Sequence, residues 1–236
     1  MNMPLNTSAD TTNLVEQARF NMIEQQIRPW RVLAEDVLDL MTEVRREEFA
    51  PIAYRSMAFM DIEIPLNESV EEAERTGQVM LPPRVEARML QDAAVKSTDR
   101  VLEIGTGSGY MAALLGRSGS QVLSLEINAD LVEFAKENLR SAGIGNVEVR
   151  MADGSKDLSK DGPFDVIMVS GSIAEVPKSL LALLTEGGRL VAVVGQEPMM
   201  RTTVVTRKGS SFEVTEPWDI IVPRLQGFAE PSAFKF

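Results

Sequence analysis

The stretch VLEIGTGSGYMAALL, residues 101–115, decides the fold. Four largely apolar residues run into a turn with glycines at Gly105, Gly107 and Gly109, and an apolar helical pattern follows at once. A strand that breaks into a glycine-rich turn and then a helix presents backbone N–H groups to a ligand. Downstream the pattern repeats. QVLSLE (121–126) precedes ADLVEFAKENLRSAG (129–143), VEVRM (147–151) stands alone, FDVIMVS (164–170) precedes PKSLLALLTEGG (177–188), and RLVAVVG (189–195) closes the series. Apolar runs separated by helices predict parallel strands buried on both faces, an α/β doubly wound, Rossmann-like sheet. RTTVVTR, SFEVTE and WDIIVP then read as antiparallel strands finishing it, and Gly187 and Gly188 as the end of the preceding helix.

The ligand follows from spacing. A P-loop requires a lysine that reaches the phosphates, and no lysine lies between Val101 and Lys136. A dinucleotide fingerprint requires glycine where Tyr110 stands. Glu103, at the end of the first strand, disfavours a pyrophosphate and suits an ammonium group. Glu126 ends the second strand, where a carboxylate accepts hydrogen bonds from both ribose hydroxyls. Asp153 follows the third strand, within reach of an adenine edge. With Thr106, Ser108, Ile127 and Gly154 beside them, these positions describe a site for S-adenosylmethionine. An NAD-dependent oxidoreductase fits less well because of Tyr110 and Glu103.

Composition limits the chemistry. The 236 residues carry a formal net charge of −11 and contain neither cysteine nor histidine. Such a balance does not favour nucleic acid or an anionic membrane surface, and no segment resembles a membrane span or a secretory leader. A cytoplasmic protein without a metal site is expected. The commonest general base is missing, and a carboxylate of pKa about 4 needs none, whereas a phenol of pKa about 10 does. Methyl transfer to a carboxylate is the reaction this composition supports.

Towards the N-terminus, residues 1–12 read as a flexible arm and residues 13–99 as a helical, substrate-covering region. Two helices, around Val15 to Ile27 and Ala34 to Val44, are separated by Pro29. Residues 67–77, NESVEEAERTG, read as an exposed acidic loop, and residues 100–236 as the sheet domain, one compact unit with 13–99.

Together with VRREEFAPIAYRSMAF (44–59), Gly77–Gln78 and the IVP at 221–223, the segments quoted above resemble protein-L-isoaspartate O-methyltransferases, from about Arg19 to about Gly227. The resemblance implies a seven-stranded methyltransferase domain that methylates isoaspartyl carboxylates of damaged proteins, a protein-repair activity. It also implies protein or peptide substrates with an exposed carboxylate, contacted around Gln78, Val79 and Leu81. One departure bears on the chemistry: where the family has Gly-Gln-Thr-Ile-Ser-x-Pro, this chain reads GQVMLPP, without the two hydroxyls. Ser170 and Ser172, in VSGSIAEVP, are the candidate replacements. Two further readings stay open, a methyltransferase of this fold acting on another carboxylate and a cofactor-binding interaction protein that has lost catalysis.

Overall fold

The computed structural model describes residues 8–67 and 69–230. The chain opens with α1 (Ser8–Met22), continued by a π turn and a 3-10 turn through Trp30, then α2 (Glu35–Glu43) and α3 (Arg46–Phe49). β1 (Ile64–Pro65), α4 (Val70–Thr76), β2 (Val79–Met80) and α5 (Pro83–Ala93) complete the N-terminal region. The sheet domain runs β3 (Arg100–Ile104), α6 (Tyr110–Ser118), β4 (Gln121–Glu126), α7 (Ala129–Ser141), β5 (Val147–Met151), β6 (Phe164–Ile173), α8 (Lys178–Leu181), β7 (Leu184–Gln196), β8 (Met199–Lys208) and β9 (Ser211–Asp219). Of the expected arm, residues 1–7 lie outside the described residues, and α1 already begins at Ser8.

The seven-stranded sheet has the order β5-β4-β3-β6-β7-β8-β9, parallel from β5 through β7 and antiparallel beyond. Alternation along the strands divides the core. Val101, Val122, Val166 and Val191 face one side, packed with α2, α5, α6 and α7, while Leu102, Leu123, Ile167 and Leu190 face the other, with Leu158, Leu180 and Leu183. Strands buried on both faces need no polar residue at alternate positions. This explains their near-continuous apolar sequences.

Three elements differ from the sequence expectation. Residues 67–77 are not a loop: Ser69 caps α4, its Oγ accepting from Glu72 N at 3.2 Å, and Gly77 ends it at φ 72°. The Ser-x-x-Glu spacing is a capping signal, and the acids of the first turn suit the helix dipole. The helix at 177–188 shrinks to the four residues of α8, because Leu184 pairs with Phe164 in the sheet. Gly187 therefore lies in the irregular start of β7 at φ 73°, not at a helix end. Finally, the expected three C-terminal strands are two. Past the pairing of Arg201 with Asp219, the chain leaves β8 and turns back toward β6, where Arg224 bridges Ser172.

Arg189 on β7 holds the N-terminal region to the sheet. Its guanidinium donates to the carbonyls of Ala93 and Ala94, at the end of α5, and to Oδ2 of the buried Asp99 at 2.8 Å. Replacing Arg189 by Met leaves the buried Asp99 carboxylate without its cation. A loss of about 3 kcal/mol is expected, read as a lower urea midpoint with unchanged slope.

Candidate functional site

The turn after β3 is built from the backbone outward. Gly105 and Thr106 both donate to Leu125 O, at 2.8 and 3.3 Å, which ties the turn to the end of β4. Gly105, Gly107 and Gly109 have φ of 94°, 54° and 85°, a region that side chains disfavour. At Gly109 a Cβ would also stand 3.2 Å from Ala135 Cβ of α7. The result is an open cradle at the carboxyl ends of β3 and β4, where open α/β sheets bind ligands.

A cavity of about 210 Å³ lies against this cradle. Gly105, Gly107, Glu126, Ile127 and Gly154 line it, together with Gln78, Val79 and Ser170. Glu126 is fixed by Gly107 N to Oε2 at 2.9 Å and by Asn128 N to Oε1 at 3.0 Å. A carboxylate offers about four acceptor positions, so capacity remains for ligand hydroxyls. At Gly154 a Cβ would meet Ile104 Cγ2 at 2.4 Å, so the close packing of this turn on Ile104 requires glycine.

Glu103 and Asp153 are not among the cavity-lining residues. Glu103 is fully buried, accepting from Ser124 Oγ at 2.6 Å and Ser170 Oγ at 2.9 Å; Thr106 Oγ1 lies 2.6 Å from Ser124 Oγ. Burial pushes its carboxyl up to about 8, against the two serine hydrogen bonds. Asp153 instead orders its own turn, accepting from Ser155 N at 2.9 Å and Ser155 Oγ at 2.6 Å. Burial opposes its ionisation, but the bonds from Ser155 and the nearby Lys156 hold its carboxyl below the usual range. The three acids thus do different things, and only Glu126 faces the cavity.

Behind the glycine turn lies a small inner chamber, lined by Leu81, Glu86, Thr106, Ser108, Tyr110 and Met111, which shares Val79, Gly105, Gly107 and Ser170 with the main cavity. Leu81 therefore sits one layer deeper than Val79, its carbonyl accepting from Arg46 Nη2 at 2.7 Å. Ser172 lines neither space; it is fully buried, and its backbone holds the C-terminal segment through Ser172 N to Pro223 O (2.8 Å) and Leu225 N to Ser172 O (2.9 Å).

That segment is the part of the site sequence reasoning missed. Arg224, Leu225, Gln226 and Phe228 line the cavity, and a Cβ on Gly105 would stand 3.0 Å from Leu225 Cδ2. Read as a strand, IIVP concealed this strap; the non-alternating RLQGF after it was the available signal. Arg84 and Arg88 do not line the cavity. They stack on Trp30 and Trp218, at 4.3 and 4.6 Å from the ring centroids, and Arg84 also pairs with Asp61.

The sheet order, the glycine cradle and a carboxylate at the end of the second parallel strand define a nucleoside-binding methyltransferase fold. Residues 17–222 match the family model of protein-L-isoaspartate(D-aspartate) O-methyltransferase, and the chain belongs to that family. It is 36% identical over 198 residues to the protein-L-isoaspartate O-methyltransferase of Koribacter versatilis, covering 84% of this chain and 86% of that one. With the enzyme of the same name from Methanoculleus marisnigri it shares 38% over 192 residues, 81% and 84% of the two chains. A solved Plasmodium falciparum relative, in complex with S-adenosyl-L-homocysteine, superposes with a TM-score of 0.72 over 89% of this chain and 97% of that one, at 20% identity. As a family member the chain is an S-adenosylmethionine-dependent O-methyltransferase. Among the described residues no helix is long and apolar enough to cross a membrane.

The buried Glu103 carboxyl has a stability consequence. Unfolded, it ionises near pH 4.3; folded, it keeps its proton to about 8. The folded state binds more protons between these values, so stability falls as pH rises through the window. Glu103→Gln is expected to remove this contribution, its melting temperature gaining on the parent's from pH 5 to pH 8 in a series of thermal scans.

Proposed function

We propose that this chain methylates the free carboxylate of isoaspartyl residues in proteins, with the donor held in the 210 Å³ cavity and the acceptor entering past the C-terminal strap. The observation that carries this reading is that Glu126, Ile127 and Gly154 line one cavity together with Gln78 and Val79. Glu126 accepts from the ribose hydroxyls, Ile127 packs against the base, and Gly105 and Gly107 let the backbone approach closely. Asp153 shapes this wall through its turn, and Glu103 stiffens the floor beneath it. S-adenosylmethionine, when bound, supplies an electrophilic methyl sulfonium.

The acceptor side is a broader cleft that shares Thr76, Gly77 and residues 224–226 with the cavity. Arg224 stands where the two meet, its Nη2 donating to Gly195 O at 2.7 Å and its Nε paired with Glu230 at 3.0 Å, so that an arriving carboxylate competes with Glu230 for the guanidinium. An ionised carboxylate needs no base, so the chain's task is alignment, which can supply roughly 7–11 kcal/mol. Ser170, which lines the cavity along with Thr76, stands in for the hydroxyls the family carries at the positions of Val79 and Leu81. Protein substrates and no nucleic acid accord with a net charge of −11. Absence of hydroxyls at Val79 and Leu81 favours one second reading, donor binding without transfer.

Transfer of tritiated methyl to an isoaspartyl peptide, with its aspartyl twin as control, separates the two. Label is expected in the isoaspartyl peptide alone, and Val79→Thr, which returns a hydroxyl to the cavity wall, is expected to raise kcat/KM about ten-fold, as one hydrogen bond to a charged group would. No transfer by a chain that still binds S-adenosylhomocysteine would establish the second reading.

A further inference from the structure

Glu103 is a fully buried acid to which the reaction as described gives no chemical part. It stands on β3 opposite Ser124 of β4 and Met168 of β6, and Ser170 follows two residues beyond Met168. Its carboxyl therefore meets two hydroxyls, Ser124 Oγ at 2.6 Å from Oε2 and Ser170 Oγ at 2.9 Å from Oε1. Burial, with the carboxylates of Glu126 on β4 and Glu86 on α5 adding to it, pushes the carboxyl up to about 8 against these two bonds, and Arg46 of α3 is paired with Glu86. At neutral pH Glu103 thus carries a proton, and one of its two serine partners must accept it.

That proton has one destination. Thr106 is 4% exposed, its Oγ1 lies 2.6 Å from Ser124 Oγ, and it has no other hydrogen-bond partner among the described residues. The Thr106 proton is satisfied by donation to Ser124, whose own proton then goes to Glu103 Oε2. The Glu103 proton consequently sits on Oε1 and is donated to Ser170 Oγ, the reverse of the direction an ionised carboxylate imposes. Ser170 is the partly exposed member of these four residues, and it lines the main cavity. With Ser170 Oγ accepting from behind, its own proton is free to point into that cavity.

We propose that Glu103 is a positioning residue for methyl transfer: it donates to Ser170 Oγ and so frees the Ser170 hydroxyl to donate to the acceptor carboxylate. The inference rests on the carboxylate-acceptor reading given above. The hydroxyl orients the carboxylate and transfers nothing to it; the methyl group passes from sulfur to oxygen, and Ser170 and Glu103 keep their protons. An ionised Glu103 would take the Ser170 proton for itself and turn oxygen lone pairs toward an anionic acceptor. Activity therefore falls as pH rises through the ionisation of Glu103. A bound sulfonium donor moves the midpoint down and leaves the direction unchanged.

Methyl transfer to an isoaspartyl peptide at saturating S-adenosylmethionine, followed from pH 6 to pH 9 by the S-adenosylhomocysteine released, tests the assignment in the full chain, Glu103→Gln and Ser170→Ala. Titration of donor or peptide is common to the three proteins and cancels in the ratio of each variant to the parent. In Glu103→Gln the amide keeps a donor toward Ser170 at every pH, so its kcat/KM relative to the parent is expected to rise about five-fold or more between pH 7 and pH 9. Ser170→Ala is expected to lose about ten-fold at pH 7, as removal of one hydrogen bond to a charged group would, and to close that gap by pH 9. Either variant that keeps S-adenosylhomocysteine binding within about two-fold of the parent by calorimetry carries the test; weakened binding in both overturns the assignment, because the pair then serves the donor. A ratio that stays constant with pH in either variant, or full activity of Ser170→Ala at pH 7, also overturns it. An inactive parent that still binds S-adenosylhomocysteine overturns the carboxylate-acceptor reading itself, and this inference with it.

Discussion

The carbonyl of Leu125 accepts from two successive N–H groups, those of Gly105 and Thr106, and the site depends on that shared acceptor. Because these two bonds fasten the turn after β3 to the end of β4, the space above it stays clear for a ligand. Three glycines with positive φ allow the chain to reach α6 in so few residues. Glu126, one residue past Leu125, is thereby carried to the cavity wall, and Gly107 N fixes its orientation. The same interaction positions the backbone cradle and the carboxylate.

Beneath and behind the turn the protein stores two carboxyl groups in different ways. Glu103 is surrounded by hydroxyls, with Ser124 and Ser170 donating and Thr106 adjoining Ser124. Burial outweighs those bonds and keeps its proton on at neutral pH. Glu86 has a guanidinium instead, yet burial outweighs Arg46 and raises its carboxyl to about 7. The two carboxyl groups interact with one another. A chain without histidine thus still places groups that titrate near neutrality beside its ligand site.

The C-terminal strap closes the other side. Residues 223–225 bond to the backbone of Ser172, Leu225 lies over Gly105 and Gly171, and Phe228 lines the cavity. Gly227 is required by this closure, since a Cβ there would fall 2.5 Å from Asp153 Oδ1. Asp153 therefore contributes by shaping the turn on which the strap rests. Donor side and acceptor side meet at residues 224–226, which border both the cavity and the outer cleft.

The sequence by itself determined the parallel strands, the cradle and the carboxylate at Glu126, because strand periodicity, glycine conformation and strand-end position are local properties of the chain. It also carried the capping signal of α4, hidden beneath a charge pattern that reads as loop. Tertiary structure alone decided which acids line the cavity. Glu103 and Glu86 differ in whether two serines or one arginine meet the carboxyl group, and residues 124, 170 and 46 are distant from them in sequence. It likewise decided that IIVP leaves the sheet edge: after Ile220 N bonds to Met200 O, the backbone of Ser172 on β6 claims the chain, through Ser172 N to Pro223 O and Leu225 N to Ser172 O.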